Sequence, residues 1–167
     1  MIAKQLAAEH AALYVTDGMT VGLGTGSTSA FAIKAIGQKI QQGLNIKVVA
    51  SSIQSEQLAK EVGITILPFS GINLIDIYID GADEVYKDLN LIKGGGGALL
   101  REKILAFNSE QFVVIVDEHK LVERLGKFPL PVEVTSFALE LTVKQIQKLG
   151  CVPIVRQKEG KSYVTDN

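Results

Sequence analysis

Four charged residues beside glycine-rich turns have the types and spacing needed to move a proton. Asp80 and Asp83 flank the turn in "DGADE", and Lys93 and Glu102 bracket the four glycines of "KGGGGALLREK". A carboxylate in a cleft can act as a general base, and a lysine beside it can stabilise developing negative charge. With Glu102 as the base, the set suits proton transfer next to a sugar carbonyl. Because two cations flank it in sequence, Glu102 could instead be a solvated surface residue.

The aspartates of "DGADE" allow three interpretations. Clustered carboxylates bind divalent cations, accept hydrogen bonds from polyol hydroxyls, or cap the start of a helix. His10 and His119 lie far from them in sequence and show no ligand spacing, so a histidine-assisted metal site is not favoured. We expect Asp80 and Asp83 to recognise hydroxyl groups or handle protons without a metal ion, and helix capping is the alternative.

The loop "GLGTGSTS", residues 22–29, has the composition of a phosphate-binding segment. A dinucleotide loop would need a third glycine where Ser27 stands, and a Walker loop would need a lysine, which is absent from the loop until Lys34. Neither cofactor is therefore expected. A helix N-terminus suits a single phosphate monoester. The loop adds four hydroxyl side chains: Thr25, Ser27, Thr28 and Ser29. An ordinary glycine turn, with Ser27 or Thr28 capping the helix, is the alternative.

Strand and helix patterns alternate along the first part of the chain. Apolar runs predict strands at residues 20–24, 46–51, 64–67, 76–80, 89–94 and 112–117. The first expected helix covers residues 2–15 and has Ile2, Leu6 and Leu13 on one face. The second begins at residue 27 or 28 and ends at Gly43, and the third begins at a capping box formed by Ser51 and Gln54 and ends near Gly63. A fourth begins at Ala98. The alternation indicates an α/β, Rossmann-like fold with a mostly parallel sheet covered by helices. Since ligands bind beyond the carboxyl ends of parallel strands, the three loops are expected to form one site.

The segment "GKFPLPVEVT", residues 126–135, interrupts this alternation with two prolines. It predicts a boundary between a Rossmann-like catalytic domain, residues 1–128, and a smaller α+β domain, residues 129–167. The second domain is expected to contain strands at 131–135, 152–156 and 162–165 and a helix through Leu139, Val143, Ile146 and Leu149. It is expected to be incomplete, because no closing element follows its last strand.

The composition argues against several kinds of partner. The 167 residues are 47% hydrophobic and 21% charged, with a formal net charge of -1. Such a protein is globular and lacks the field that attracts nucleic acid or an anionic membrane. The single cysteine, Cys151, can form no internal disulfide, and neither a secretory leader nor a bilayer-spanning stretch is visible. We expect a cytoplasmic protein with a small-molecule ligand.

Four motifs stand in the order and spacing of a known family: "GLGTGST", "DGADE", "KGGGGALLREK" and "LGKFPLPVEV". Together with "VTDN" at 164–167, they make the chain resemble the A-type ribose-5-phosphate isomerases over essentially its whole length. The resemblance implies interconversion of D-ribose 5-phosphate and D-ribulose 5-phosphate in the pentose phosphate pathway, through an enediolate and without metal or cofactor. It also implies a homodimer or homotetramer, and a second domain that continues beyond "TDN" as a lid or oligomerisation domain.

The resemblance also assigns roles to individual residues. Glu102 matches the base that moves a proton between C1 and C2, and Lys93 matches the cation that stabilises the enediolate. Asp80 and Asp83 match the acidic pair that contacts the sugar hydroxyls and assists ring opening or proton shuttling. The expected substrate-binding residues are Lys4, Thr25, Gly26, Ser27, Thr28, Gly81, Ala82, Gly94, Gly95, Gly96 and Lys120.

Two other kinds of protein fit some of these motifs. Sugar-phosphate deaminases and CoA transferases resemble this fold and use glycine loops with a carboxylate, but "DGADE" together with "KGGGGALLREK" favours the isomerase. A non-catalytic sugar-phosphate sensor would keep the phosphate loop and lose the base or the lysine, whereas Glu102 and Lys93 are both present. Formation of ribulose 5-phosphate without release of ammonia distinguishes the isomerase from both.

Overall fold

The computed structural model describes all residues from 1 to 167 and centres on a four-stranded parallel sheet. The strands are β1 (Thr20–Leu23), β2 (Lys47–Ala50), β3 (Ile75–Asp80), β4 (Glu84–Tyr86), β5 (Leu91–Ile92), β6 (Ser109–Val114), β7 (Leu121–Val122), β8 (Gln157–Lys158) and β9 (Lys161–Ser162). The helices are α1 (Ile2–Ala12), α2 (Ser27–Gln41), α3 (Ile53–Glu61), α4 (Leu99–Phe107) and α5 (Leu139–Gln147). The central sheet has the order β2-β1-β3-β6, and all neighbouring strands are parallel. The predicted mostly parallel α/β sheet is therefore confirmed.

The central strands are apolar on both faces because helices cover both faces. On one face, alternate residues such as Leu23 and Ile79 join the main core with α1, α2 and α3. On the other face, Val49 and Tyr78 pack with Leu105 of α4. A sheet buried on both sides positions the residues at the ends of its strands rigidly.

One close approach in the sheet depends on a missing side chain. A Cβ at Gly22 would lie 2.7 Å from the ring of Tyr78 on the neighbouring strand β3. The glycine in β1 therefore leaves room for a large buried aromatic ring, which also stacks on Phe112 of β6 with a centroid distance of 5.1 Å. This packing holds the carboxyl end of β3, where the site begins.

A second, mixed sheet has the order β5-β4-β7. Strand β4 runs antiparallel to β5 and parallel to β7. It begins at Glu84, immediately after "DGAD", and β5 leads directly into the glycine run. The sheet thus connects two of the predicted site loops to each other.

Residues 129–167 contain α5 and the β8–β9 hairpin but no buried side chain. Hydrogen bonds connect these residues to the rest of the chain at the starts of α3 and α4 and at the glycine run. Glu133 accepts a hydrogen bond from the Leu100 amide (2.8 Å), and Arg101 donates to the Asp166 carbonyl (2.7 Å). None of the five helices has the length and apolarity needed to cross a membrane.

Several expected elements differ from those observed. Residues 64–67, 131–135 and 152–156 form no strand, and the expected strand at 162–165 is replaced by the two residues of β9. Pro131 lacks an amide hydrogen, so it cannot donate within a ladder. The short strands β4 and β7 were not predicted, because two or three residues are too few to show a period.

Two helix starts and one helix face also differ from expectation. Helix α2 begins after Gly26, and no side chain caps it, whereas Ser52 and not Ser51 caps α3 by accepting from the Ser55 amide (3.1 Å). Helix α1 turns small residues toward the core, Ala8, Ala11 and Ala12, and exposes Ile2, Leu6 and Leu13. Alanine allows α1 to lie close against α2, a fit that hydropathy alone does not indicate.

Candidate active site

The loops after β1 and β3 meet where the connectivity of the sheet reverses. From β1 the chain passes to β2 on one side and then returns to β3 on the other side. Open parallel sheets bind ligands beyond the carboxyl ends of their strands at such a switch point. Gly24, just after β1, donates its amide to the carbonyl of Ile79 in β3 (2.9 Å). The first two predicted loops therefore adjoin each other, as expected.

The third loop reaches the same place by another route. The glycine run follows β5, which belongs to the second sheet and not to the central one. The Gly95 amide donates to Asp83 Oδ2 (2.8 Å), and this bond joins the run to the "DGADE" turn. All three loops form one site, although only two follow strands of the parallel sheet.

Asp80 lies at the centre of the site and is completely buried. Its Oδ1 accepts hydrogen bonds from the amides of Thr25 (3.0 Å) and Gly81 (2.7 Å) and from the Ser29 hydroxyl (3.0 Å). Its Oδ2 accepts from the Tyr78 hydroxyl and pairs with Lys93 Nζ at 2.8 Å. Every position around this carboxylate is thus occupied by the protein itself.

Gly24 and Tyr78 make this arrangement possible. A Cβ at Gly24 would stand 2.1 Å from Asp80 Oδ1, so only glycine fits beside the carboxylate. Burial, reinforced by the charge of Asp80, raises the pKa of the Tyr78 hydroxyl well above its ordinary value. Tyr78 is therefore a neutral donor to Asp80 at every physiological pH.

Lys93 connects the two buried carboxylates. Its Nζ lies 2.8 Å from Asp80 Oδ2 and 3.5 Å from Glu102 Oε2, and it donates to the Gly81 carbonyl (2.5 Å). The two carboxylates and the carbonyl together immobilise the ammonium beside the start of the glycine run. A fixed positive charge in a dry site stabilises negative charge more strongly than one in water.

Glu102 is 3% exposed in the first turns of α4, so it is not the solvated residue that its charged neighbours in sequence could suggest. Its Oε2 accepts no hydrogen bond. Burial raises the pKa of Glu102 to about 7, the charge of Asp80 adds to the rise, and Lys93 partly opposes it. A carboxyl group with a pKa near neutrality can both take up and release a proton, as a general base must.

Asp83 and Glu84 of the "DGADE" turn bind two different segments of the chain. Asp83 is partly exposed and holds the glycine run through the Gly95 amide. Glu84, which was not assigned a role, is buried and accepts from the amides of Gly126 (2.7 Å) and Phe128 (2.5 Å). Glu84 therefore attaches the "GKFPLP" segment to the site. Gly81 and Ala82 lie between the two aspartates, partly exposed.

The two ends of the loop after β1 differ in their exposure to solvent. The Thr25 hydroxyl turns inward to the hydroxyls of Ser51 (2.7 Å) and Ser52 (2.8 Å). Gly26 and Ser27 are exposed and Thr28 is partly exposed at the uncapped start of α2. The first amides of an uncapped helix have no intrahelical partner and can bind an anion. The loop is thus anchored through Thr25 and open from Gly26 onward.

Lys4 reaches this loop from α1. Its Nζ donates to the Ser27 hydroxyl (3.1 Å) and lies 3.9 Å from Asp117 Oδ2. Lys120 lies in the short turn that begins after Asp117. The structure therefore places the predicted lysines on two segments that meet near the start of α2.

Sequence reasoning overlooked three groups that hold the site. Tyr78 stands two residues before Asp80 on β3, and the strand period of two, which places both on one face, could have indicated it. The serine cluster Ser51, Ser52 and Ser55 anchors Thr25, and Arg156 and Tyr163 contact the glycine run from residues 129–167. No local pattern marks these last two groups, because their partners are distant in sequence. The protein contains no group of three or more His, Cys, Asp or Glu residues placed to hold a metal ion.

The fold and the site define an α/β protein suited to proton transfer by a buried carboxylate on an anionic small molecule. Residues 47–167 match the family model described as ribose 5-phosphate isomerase A (phosphoriboisomerase A). The chain is 52% identical over 164 residues to ribose-5-phosphate isomerase A of Bacillus mycoides, an alignment that covers 98% of this chain and 74% of that protein. The chain belongs to the ribose 5-phosphate isomerase A family.

Solved structures agree with this assignment. Ribose 5-phosphate isomerase A of Methanocaldococcus jannaschii matches with a TM-score of 0.94 and 38% identity over 99% of this chain and 75% of its own. A D-ribose-5-phosphate isomerase in complex with phospho-erythronic acid matches with a TM-score of 0.92 and 39% identity over 99% and 74% of the two chains. The chain thus spans about three quarters of the length of these relatives.

Proposed function

We propose that the protein interconverts D-ribose 5-phosphate and D-ribulose 5-phosphate, because its relatives are named ribose-5-phosphate isomerases. The observation that carries the proposal is Glu102, a buried carboxyl with one oxygen free of hydrogen bonds, an ion pair to Lys93 and a pKa of about 7. Membership of the family and the geometry of the three loops support the same reaction.

Glu102 is proposed as the group that moves the proton. Its carboxylate takes the proton from C2 of the open-chain aldose, and the electron pair of that bond forms the C1–C2 double bond of an enediolate. The protonated Glu102 then returns the proton to C1, while the hydroxyl proton on O2 passes to O1. A positioned base of this kind contributes about a hundredfold to ten-thousandfold to the rate.

Lys93 and the glycine run are proposed to stabilise the enediolate. Lys93 is already fixed by Asp80 and the Gly81 carbonyl, so its charge needs no reorganisation during the reaction. Gly94 and Gly96 are proposed to present their backbone amides to the enediolate, whereas the Gly95 amide is already bonded to Asp83. Because the protein surrounds Asp80 completely, we propose that Asp80 acts through Lys93 and Glu102, whereas the more exposed Asp83 contacts the sugar hydroxyls.

The start of α2 is the proposed phosphate site. The uncapped amides after Gly26, the Ser27 and Thr28 side chains, and Lys4 at 3.1 Å from Ser27 form a compact anion-binding surface. Lys120 is proposed to add a further contact. Held there, the phosphate anchors one end of the pentose and directs the other end toward Glu102, which converts binding energy into orientation.

A ligand bound by one relative supports this assignment. That structure contains phospho-erythronic acid. An aldonic acid phosphate combines a phosphate with a planar carboxylate, and the carboxylate resembles an enediolate in shape and charge. A site that provides a phosphate anchor at one end and a fixed ammonium at the other fits both molecules.

The assembly and the compartment are proposals as well. We propose a homodimer or homotetramer in the cytoplasm. Exposed apolar side chains in residues 129–167, among them Phe137 (87% exposed) and Leu141 (62%), support self-association, because monomers rarely expose large apolar patches. Light scattering coupled to size exclusion measures the mass, and a monomer at micromolar concentration would contradict the proposal.

The deciding experiment supplies ribose 5-phosphate in deuterated water with a chelator present. Formation of ribulose 5-phosphate with deuterium at C1 is expected, because the proton carried by Glu102 exchanges with solvent. Release of ammonia from an amino sugar phosphate, or binding of ribose 5-phosphate without turnover, would favour the deaminase or the sensor instead. Loss of activity with the chelator would show that the aspartates need a metal ion.

A further inference from the structure

Two residues outside the parallel sheet contact the glycine run directly. Arg156 and Tyr163 flank the β8–β9 hairpin, where the Tyr163 amide donates to the Arg156 carbonyl (2.8 Å). The Arg156 guanidinium lies 4.1 Å from the centroid of the Tyr163 ring. From this stacked pair, Arg156 donates to the Gly95 carbonyl (3.0 Å) and the Tyr163 hydroxyl donates to the Gly96 carbonyl (3.4 Å).

The run of four glycines is explained largely by these protein contacts. A Cβ at Gly95 would lie 2.5 Å from Asp83, and one at Gly97 would lie 2.3 Å from the Tyr163 hydroxyl. Gly97 also has a φ of +87°, which side chains rarely adopt. Gly96 alone has no neighbour closer than 3.8 Å, the Thr25 methyl group. Three glycines therefore fit the run into the protein, and Gly96 is the one with open space beside it.

We propose that Arg156 and Tyr163 are positioning residues that hold the glycine run in the conformation used for catalysis. They fix the carbonyls of Gly95 and Gly96 on one side, while Asp83 binds the Gly95 amide on the other side. The run is thus clamped between the "DGADE" turn and the hairpin, with Gly96 turned to the space beside Thr25. This inference rests on the proposed function, in which the run borders the reacting carbons.

The test compares kinetics and hydrogen exchange for variants of the full chain. Arg156→Ala is expected to lower kcat about tenfold, the value of a charge-assisted hydrogen bond, and Tyr163→Ala, which loses a neutral hydrogen bond, about fivefold. KM should change less than about twofold, because neither substitution alters the proposed phosphate contacts at the start of α2. Exchange of the Gly95 and Gly97 amides, which are bonded to Asp83 and to the Gly94 carbonyl, should accelerate. Tyr163→Phe keeps the ring that stacks on Arg156 but loses the hydroxyl that donates to the Gly96 carbonyl, so it should recover only part of the lost kcat. Arg156→Lys should also restore part of it.

Lys158→Ala is the matched control, because Lys158 is exposed on the same hairpin and does not contact the run. It should leave kcat and both amides unchanged. The inference is overturned if Arg156→Ala and Tyr163→Ala change neither kcat nor the exchange of the two amides. It is also overturned if they act only by lowering the unfolding midpoint. If the unmodified chain shows no isomerase activity, the proposed function fails, and the exchange rates still test the clamp.

A double-mutant cycle separates clamping from general damage. Gly97→Ala places a methyl group against Tyr163 and strains the backbone, so it should impair kcat strongly. In a Tyr163→Ala background the clash between the new methyl group and the Tyr163 side chain disappears. The loss of kcat caused by Gly97→Ala should therefore be at least about threefold smaller than in the parent. Equal costs in both backgrounds would show that Tyr163 does not set the position of Gly97.

Discussion

Residues 1–115 and residues 129–167 contribute to this protein in different ways. The first region contains every buried side chain, from Ala8 to Ile115, and the acid–lysine–acid cluster of the site. The second region buries none and exposes apolar side chains such as Val152 (88%) and Ile154 (87%), yet it contacts the glycine run and the start of α4. Burial in the first region stabilises the fold, whereas contacts from the second region position the glycine run and the start of α4.

The contrast shows that contacts without a core can still determine a site. Hydrophobic burial stabilises in proportion to area and has no direction. Hydrogen bonds from Arg156 and Tyr163 have direction, so two of them fix a loop that has no side chains of its own. Substitutions in the two regions should therefore separate chemistry, stability and positioning.

Glu102→Gln should abolish most of the chemistry while the chain stays folded. We expect kcat to fall by about a hundredfold to ten-thousandfold, because glutamine cannot accept the substrate proton, with KM nearly unchanged. Steady-state kinetics measure both constants. Lys103→Gln, an exposed neighbour on α4, is the control and should retain full activity. Near-normal turnover of Glu102→Gln would contradict the assignment of the base.

Ile77→Ala and Leu141→Ala should differ sharply in stability. Ile77 is fully buried in β3, so its truncation should lower the free energy of unfolding by about 2–5 kcal/mol. Leu141 is 62% exposed on α5, so the same kind of change should cost less than about 0.5 kcal/mol. Urea unfolding provides the comparison. Equal losses would mean that the second region has a core of its own or shares one with another chain.

The raised pKa of Glu102 predicts that stability and activity respond oppositely to pH. Turnover should increase as pH rises through about 7, where the base becomes ionised. The folded pKa of about 7 exceeds the ordinary value of 4.5, so between these values the folded state binds more protons than the unfolded state. Stability from this group is therefore complete below pH 4.5 and is lost as pH rises through about 7.

Thermal unfolding of the parent and of Glu102→Gln across this pH range measures the effect. The variant should gain stability relative to the parent as pH rises from about 5 to about 8, since glutamine does not ionise. A constant difference between the two proteins over the range would show that burial does not raise the pKa of Glu102.

Glu133→Gln should have a small and local effect. Partial burial alone would raise the pKa of Glu133, but hydrogen bonds from Asn167, the Leu100 amide and Thr165 outweigh it and hold the pKa below the ordinary value of 4.5. Its stabilisation is therefore present above pH 4.5 and is lost as pH falls through the folded pKa. We expect a loss of about 1 kcal/mol and faster hydrogen exchange at residues 165–167. Glu140→Gln on α5 is the control, and equal exchange in both variants would contradict the role of Glu133.

The strands and loops of the first region were largely predictable, because each has a local signal. The apolar runs at β1, β2 and β3 and the helical spacing of α2 indicate their elements correctly, and the helix expected from Ala98 onward is α4. The run at 112–117 indicates β6, although that strand begins earlier, at Ser109. Residues 64–67 and 152–156 have the same kind of apolar run and form no strand, since a strand also needs a neighbour at the right distance. The helix of the second region was predicted correctly, and its strands mostly were not.

Within the site, local sequence was enough to identify the residues with special chemistry but not the groups around them. Glu102 and Lys93 flank an unusual run of four glycines, which marks them as candidate site residues. The structure places their charged atoms 3.5 Å apart. The complete enclosure of Asp80, and the phenol that donates to it, depend on Gly22 and Gly24 leaving space on the neighbouring strand. The sequence of β3 alone does not indicate that Gly22 and Gly24 leave this space beside it.

The sequence by itself determined the class of fold, the three loops and the residue types available for proton transfer, because hydrophobic period, turn residues and ionisable groups are local properties. Only the tertiary structure decided which carboxylate is enclosed by donors and which keeps a free oxygen, since burial and hydrogen bonding depend on segments far apart in the chain. The pKa of about 7 at Glu102 follows from its burial and from the charge of Asp80. The clamp on the glycine run by Arg156 and Tyr163 likewise joins residues more than sixty positions apart.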